Sequence, residues 1–454
     1  MDFLNHLVSE INSVLWGVFC LIPLLCGTGI FYSIKLRFVQ VRKFGLATRL
    51  LFGGATLFGK RADKTGMSSF QALATAIAAQ VGTGNVAGTA TAIVSGGPGA
   101  LFWLWVAAFF GMATIFAEAV LAQTFKGKDP AYYITKGMGE KWRPMAVFFS
   151  IAIIIALGCI GNMVQSNSIS NAMHTAFGVP LVITGIVTAI LAGAVFFGGV
   201  ARLASVTEKI VPFMAAIYII GGSYVIACHA GELGNAFRLI FVAAFDPQAV
   251  MGGALGLTVA KAMQFGVARG LFSNEAGMGS TPHAHAVAKV EHPAEQGLVA
   301  IFGVFATLIV VTFTGIVILV TGVLDFQSTG IALTQKAYDV GLGSFGVSFV
   351  AICLFFFAYS TIIGWYFFAE QNVRFLFSEK ALLPYRVIVC AFIIVGATLK
   401  VDLVWALADL FNGLMVIPNL IALIALHKVV GNCLDDFEAK LAKYEKTQQN
   451  ISHS

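Results

Sequence analysis

The sequence predicts an all-α polytopic membrane protein, and three observations carry that class. Of the 454 residues, 58% are hydrophobic and 11% are charged, with a mean hydropathy of +0.86, a composition outside the range of soluble globular chains. Apolar windows long enough to cross a bilayer, about 20 residues each, recur along the chain. The basic residues fall in short clusters between those windows. The net charge of +6 therefore reads as a topology signal, because the clusters form no basic face and carry no interleaved aromatics of the kind nucleic-acid binding needs.

The windows lie near 14–34, 68–95, 98–124, 145–173, 180–199, 208–228, 249–280, 297–322, 346–369, 385–399 and 403–427, so about 11 transmembrane helices are expected. The N-terminus lacks the basic region and small-residue cleavage site of a signal peptide, and the first window is expected to remain as a span. The connection after it carries Lys35, Arg37, Arg42, Lys43, Arg49, Lys60, Arg61 and Lys64, which the positive-inside rule assigns to the cytoplasm. Alternation then puts inside Lys126, Lys128, Lys136, Lys141 and Arg143, next Arg202 and Lys209, next Lys289, and next Arg374, Lys380 and Arg386, with the polar tail from His427. The outer loops hold chiefly Arg238, Lys336 and Lys400. The N-terminus is thus expected outside and the C-terminus in the cytoplasm. The seven cysteines (Cys20, Cys26, Cys159, Cys228, Cys353, Cys390 and Cys433) are scattered singly, which indicates neither a disulfide framework nor a metal site.

Two windows are interrupted. In 68–95, Gln80, Thr83 and Asn85 sit at the centre among Gly82, Gly84 and Gly88. A break there exposes backbone N–H and C=O groups that hydrocarbon cannot satisfy. In 260–286, Lys261, Gln264, Arg269, Asn274 and Glu275 are mixed with glycines, too polar a run to face lipid. Glu275, His283 and His285 are most simply placed on or just below the cytoplasmic surface, and a histidine pair at i, i+2 makes a poor metal site.

Setting the first span aside leaves ten, with the interrupted ones first and sixth. Five is odd, so the second set of five enters from the opposite face. The expected layout is a single transmembrane domain over 1–427, with an extra first helix at 14–34, one repeat at 68–228 and a second at 249–427, followed by a cytoplasmic tail at 428–454. Two inverted halves, each opening on a broken helix, are the pattern of a secondary transporter. The alternative is plain close packing, since Gly84 to Gly88 also fits the small-xxx-small motif.

The polar residues in the spans then become candidates. Asn85 offers a carbonyl oxygen to a cation and N–H donors to a carboxylate, and the backbone N–H groups near Thr83 and Gly84 would point at a negative group. Gln165, at bilayer depth among other polar side chains, either meets a ligand or pairs with a packed helix. Asn167 and Ser170 suit the second role. Ser360 and Thr361 carry hydroxyls fit for a small hard cation such as Na+, and Trp365, one turn on, either walls a pocket or serves as packing. Glu118 is a buried acid, costly unless paired, that either braces the broken helices or reaches the interface. A line of arginines, a carboxylate relay and a P-loop after a strand are all missing, which removes support for voltage sensing and ATP-driven pumping. The glycines at 82, 84 and 88 follow an apolar helix and not a strand, so they are not a dinucleotide fingerprint. A channel would need a filter repeat or a ring of carboxylates. A sensor would need a soluble domain longer than the tail. Enzyme chemistry lacks a nucleophile paired with a base or a metal-ligand cluster.

At these residues the chain resembles the alanine or glycine:cation symporter family. The run GGPGALFWLWVAAFFG, Gly96 to Gly111, is similar to that family's signature, with Leu104 where Met is usual, a volume-conserving change. SSFQALATAIAAQVGTGNVAGTATAI and GLFSNEAGMGSTPHAHA resemble it too, and the likeness runs from about Val41 to His427. The resemblance implies a LeuT-like fold and an integral protein of a prokaryotic cell membrane. It implies uptake of alanine, glycine or a similar small neutral amino acid with Na+, or in some members H+, with no cofactor beyond the co-transported ion and no obligate protein partner. It further implies that Thr83, Gly84 and Asn85 meet the substrate carboxylate. Gln165, Thr361 and Trp365 would line the pocket, and Gln264 with Phe265 would contribute from the second break. Ala78 and Val81 carbonyls with Ser360 and Thr361 hydroxyls would hold Na+.

Overall fold

A computed structural model describes residues 2–17, 19–52, 68–126, 130–251 and 257–452. The secondary-structure elements among them are helical. The chain opens with α1 (Asp2–Leu15) and α2 (Leu21–Lys35), then runs through α3 (Ser69–Gln80), α4 (Thr89–Gly96) and α5 (Gly99–Phe125). Next come α6 (Arg143–Ile153), α7 (Asn162–Phe177), α8 (Leu181–Phe196), α9 (Gly199–Cys228) and α10 (Leu233–Phe245). The remainder holds α11 (Val259–Asn274), α12 (Pro282–His285), α13 (Pro293–Val320), α14 (Gly330–Leu342) and α15 (Phe345–Phe377). It ends with α16 (Leu382–Thr398), α17 (Val401–Ala425) and α18 (His427–Ser452). Seven of the described helices are long and apolar enough to cross a bilayer, and α2 and α8 are shorter apolar helices. The protein is an integral, multi-pass membrane protein.

The helices divide by what their apolar surface meets. In α13 and α15, 67% of the apolar stretch is buried, against 28% in Ser205–Cys228 of α9; α13 and α15 are the packed core and α9 presents its side chains outward. Phe213 and Ile220 of α9, with Ile186 and Ile190 of α8, are exposed, as lipid-facing residues are.

Both interrupted windows are interrupted in fact. A capping box starts α3, the Ser68 hydroxyl accepting from Gln71 N–H and the Gln71 side chain accepting from Ser68 N–H, a reciprocal cap that fixes where the helix begins. It stops at Val81 (φ −93°, ψ 83°). The chain then passes through a wide π-type turn, Gly84–Gly88, into α4. A second π-type segment, Ile154–Gly161, joins α6 to α7, and such widened turns often sit at functional sites. The window 249–280 yields α11, with 252–256 outside the described residues; α11 ends at Glu275 (φ 57°), and Gly277 (φ 94°) and Gly279 (φ 76°) carry the chain to α12. Only glycine adopts those two angles without strain.

The window 14–34 divides between two helices. Its first residues close α1, an N-terminal helix that packs on α17, where Asn12 Nδ2 donates to the Ala406 carbonyl (2.8 Å) and Trp16 Nε1 to the Asp409 carbonyl (3.1 Å). The basic loop after α2 meets the tail: Arg37 donates to Asp435 (2.6 Å) and Glu438 (3.2 Å), Arg42 pairs with Glu438, and His292 lies 3.0 Å from Asp436. The loop after α2 and the loop that holds His292 thus both meet the tail. Lys60, Arg61, Lys64 and Lys128 lie outside the described residues.

Candidate substrate and cation site

The first break is a set of released backbone groups. In an unbroken helix the carbonyls of Ala78, Ala79 and Val81 accept from the N–H groups of residues 82, 83 and 85. Here Gly82 N–H donates to Asn85 Oδ1 (3.0 Å), Thr83 N–H donates to Gln165 Oε1 (3.0 Å), and Asn85 N–H turns to the Gly82 carbonyl (3.2 Å). The carbonyls of Ala78 and Ala79 face α15. Thr361 Oγ1 lies 2.9 Å from the Ala78 carbonyl, 3.2 Å from that of Ala79 and 3.1 Å from that of Phe357, and Ser360 Oγ lies 3.3 Å from the Ala78 carbonyl. One hydroxyl proton cannot serve all those acceptors. Oxygen lone pairs outnumber hydrogens around Thr361, a donor set that suits a small hard cation. Val81 has lost its helical donor through the turn of Asn85 N–H.

Gly82 is what lets these groups meet. A Cβ there would stand 2.3 Å from Thr361 Oγ1 and 3.1 Å from Gln165 Oε1. The site is sealed, with Thr83, Asn85, Gln165, Ser360 and Thr361 fully buried. Yet Thr83 Oγ1, Asn85 Nδ2, Gln165 Nε2 and Ser273 Oγ have no hydrogen-bond partner. Buried polar atoms are normally paired, and an orphan costs about 1–3 kcal/mol. A ligand with its own donors and acceptors offsets that cost.

Aromatic rings wall the site. A Cβ on Gly84 would lie 2.7 Å from Phe272 Cδ1, and one on Gly161 would lie 2.5 Å from Trp365 Cζ3, so both glycines admit a ring against the backbone. Phe272 meets Trp365 edge to face at 5.4 Å and Trp405 at 4.9 Å. The Arg269 guanidinium lies 4.6 Å over the Trp405 ring and forms a two-pronged ion pair with Asp409, Nη2 to Oδ2 at 2.8 Å. Arg269 is 3% exposed, and a buried cation requires such a partner. Arg269, Trp405 and Asp409 line a cavity of about 300 Å³ that is also bordered by Thr91, Gln264, Phe265, Asp402 and Asn12.

The second break is held differently. Glu118 accepts from Gly277 N–H (3.1 Å) and Gly279 N–H (2.8 Å), and Asn419 Nδ2 donates to Glu118 Oε1 (2.7 Å) and to the Gly277 carbonyl (2.9 Å). Tyr133 donates in turn to Asn419 Oδ1. Of the two roles open to Glu118, the structure gives it the brace. Gln80 Nε2 donates to the Asn274 carbonyl (2.6 Å), tying the end of α3 to the end of α11.

The structure thus brings together Ala78, Val81, Thr83, Gly84, Asn85, Gln165, Ser360, Thr361 and Trp365. It does not bring Gln264 and Phe265 to them. Both are half-buried within α11, well before its end, and border the cavity that Arg269 also lines. The physical reason is that α11 remains helical through its mixed polar stretch until Glu275, so the residues that reach the first break are Phe272 and Ser273. A Cβ on Gly84 would come within 3.3 Å of Ser273 Cα. Glu275, expected near a surface, is fully buried, as are His283 and His285. Asn167 donates to the Gly396 carbonyl (2.9 Å), the helix-to-helix role expected of it. Asp409, which sequence reasoning passed over, was detectable as an acid inside the last apolar window, costly in a bilayer unless paired.

Two discontinuous helices tied end to end in an all-helical membrane bundle define a LeuT-fold transporter. The fold is also that of solved structures. MhsT in complex with L-phenylalanine aligns with a TM-score of 0.56 at 13% identity, covering 82% of this chain and 98% of that one. A mutant of the Eremococcus coleocola manganese transporter aligns with a TM-score of 0.55 at 14% identity, covering 76% and 74%. The profile of the sodium:alanine symporter family matches residues 1–451, and the chain belongs to that family. It is 44% identical to a sodium/alanine symporter of Methanococcus maripaludis over 451 residues, covering 95% of this chain and 96% of that protein. It is 42% identical to the probable sodium/glutamine symporter of Bacillus subtilis over 446 residues, covering 96% and 91%. The protein is a transporter and not an enzyme.

Proposed function

We propose that the protein couples inward movement of Na+ to uptake of a small neutral amino acid, alanine or glycine, by alternating access. The observation that carries this reading is the pairing at the first break. The amide oxygens of Asn85 and Gln165 stand where a substrate carboxylate would, on the N–H groups of Gly82 and Thr83, while their NH2 groups are left without partners. A carboxylate makes stronger hydrogen bonds than an amide oxygen to the same donors. On binding it displaces Gln165 from Thr83, and the freed amide turns to the ligand. Trp365 and Phe272 leave room for a small side chain only, because overpacking a closed pocket costs about 1–3 kcal/mol.

Na+ takes the oxygen cluster of Ala78, Val81, Ser360 and Thr361, and in doing so fixes the end of α3 against α15. That favours the arrangement the amino acid needs, so each ligand raises the other's affinity. Each charge crossing 100 mV releases about 2.3 kcal/mol, which drives accumulation. The Arg269–Asp409 pair closes the side of the 300 Å³ cavity and opens when that side is accessible. In this reading the transporter domain spans 1–427, with repeats at 68–228 and 249–427 and a tail at 428–454. It lies in a prokaryotic cell membrane with the N-terminus outside and the tail cytoplasmic, as the charge distribution of the loops favours.

The test is uptake of labelled alanine and glycine into vesicles of the purified protein under an imposed Na+ gradient. Accumulation that requires inward Na+ supports the reading. Uptake driven by a proton gradient without Na+ would replace Na+ by H+, and the absence of uptake under either gradient would remove the reading altogether.

A further inference from the structure

Trp365 is fixed from a direction that the substrate reading does not require. Its Nε1–H donates to Glu275 Oε1 at 2.5 Å, and the other carboxylate oxygen of Glu275 accepts from the Ser280 hydroxyl. Glu275 is fully buried, as is Ser280. The indole is also backed by Gly161, where a Cβ would stand 2.5 Å from the ring, and met edge-on by Phe272. The ring is therefore held by packing on its faces and by one strong hydrogen bond along its plane.

We infer that Glu275 is a positioning residue that sets the size of side chain the transporter accepts, acting through the indole of Trp365. Glu275 occupies the left-handed position that ends α11 (φ 57°), so it belongs to the second break, while the ring it holds belongs to α15 and meets Phe272, which packs on Gly84 of the first. A hydrogen bond to a charged or strongly polar acceptor contributes more than a neutral one and fixes geometry as well as energy. Without it the indole keeps its packing but loses the directional contact that anchors its N–H edge. The wall then recedes. Ser280 completes the arrangement by occupying the second oxygen, which leaves the first to the indole.

This inference rests on the proposed amino-acid pocket, and the experiment separates the two. Uptake of alanine and of leucine is measured in vesicles for the full-length wild type and for Glu275→Ala, Glu275→Gln and Trp365→Phe. Trp365→Phe removes the N–H together with part of the ring's volume without touching the loop, so it bounds the effect from above while Glu275→Ala removes the bond alone. The expected result is that Glu275→Ala and Trp365→Phe raise the leucine-to-alanine ratio of kcat/KM roughly tenfold, the range of a hydrophobic pocket that gains or loses a methylene or two. The change falls mainly in KM. Glu275→Gln, which retains an oxygen acceptor for the indole, restores the ratio to within about twofold. An unchanged ratio in Trp365→Phe overturns the inference even where Glu275→Ala fails to fold. Loss of ion dependence in Glu275→Gln overturns it too, by giving the carboxylate a role in coupling. Wild-type vesicles that carry neither amino acid would instead overturn the pocket, and this inference with it.

Discussion

The two broken helices differ in what holds their broken ends. At the first, neutral amides cover the free N–H groups, Asn85 on Gly82 and Gln165 on Thr83. At the second, a carboxylate does so, with Glu118 on Gly277 and Gly279 and Asn419 tying the same loop again. An amide oxygen yields its place to an incoming carboxylate. Glu118 already supplies the carboxylate oxygens that such N–H groups select, so nothing is gained by exchanging it. A discontinuity at membrane depth therefore does not by itself mark a ligand site. The chemistry of its cap decides.

The largest effect expected from this contrast is at Gly82. A Cβ 2.3 Å from Thr361 Oγ1 overpacks the point where both ligands meet, and about 3 kcal/mol of overpacking corresponds to roughly a hundredfold. Gly82→Ala should reduce alanine uptake by that factor while the protein still elutes as a folded monodisperse species. Uptake at the wild-type rate would break the comparison on the side of the first break.

Glu118→Ala should act on the fold and not on the ligand. It leaves Gly277 N–H and Gly279 N–H without their acceptor and Asn419 with the Gly277 carbonyl alone, a loss of about 3 kcal/mol, read as a lowered unfolding temperature. The KM for alanine of the protein that does fold should stay at the wild-type value. A raised KM with unchanged thermal stability would make the second break a ligand site and erase the distinction.

Gln165→Ala should do the reverse. The KM for alanine should rise roughly tenfold, about 1.4 kcal/mol, with little change in unfolding temperature, because water or substrate can take over Thr83 N–H. A smaller effect is expected at the cation cluster. Thr361→Val removes one oxygen among several, so the Na+ concentration for half-maximal uptake should rise about fivefold, close to 1 kcal/mol. Uptake at saturating Na+ should be nearly unchanged. A Na+ dependence identical to wild type would take Thr361 out of the cation site.

The membrane class, the helical windows and both interruptions were legible in the sequence because each leaves a local signature, a long apolar run or a polar glycine-rich gap. Thr83, Asn85, Gln165, Thr361 and Trp365 could be singled out as candidates because a polar or aromatic side chain at bilayer depth needs a reason, and the fold brings them together. The exact end of α11 was not legible. Glycines and polar residues are spread over 260–286, and what ends the helix is Glu275 in the left-handed region, with Trp365 of α15 holding Glu275 and with Glu118 of α5 and Asn419 of α17 holding the loop after it, all far away in the chain. That is why Gln264 and Phe265 were expected where Phe272 and Ser273 stand, and why Glu275 was assigned to a surface it does not reach. The division of 14–34 between α1 and α2 escaped notice for a related reason. Its apolar residues form one run, and only contacts with Ala406 and Asp409 show that the first of them belong to a separate docked helix.

The exchange at Thr83 is the point on which the account stands, and an experimental structure with alanine and Na+ bound tests it directly. The account predicts that the substrate carboxylate takes the Thr83 N–H, that the Gln165 amide turns away from it, and that Glu118 keeps its hold on Gly277 and Gly279. A bound structure in which Gln165 still caps Thr83 while alanine contacts the loop of the second break would contradict it.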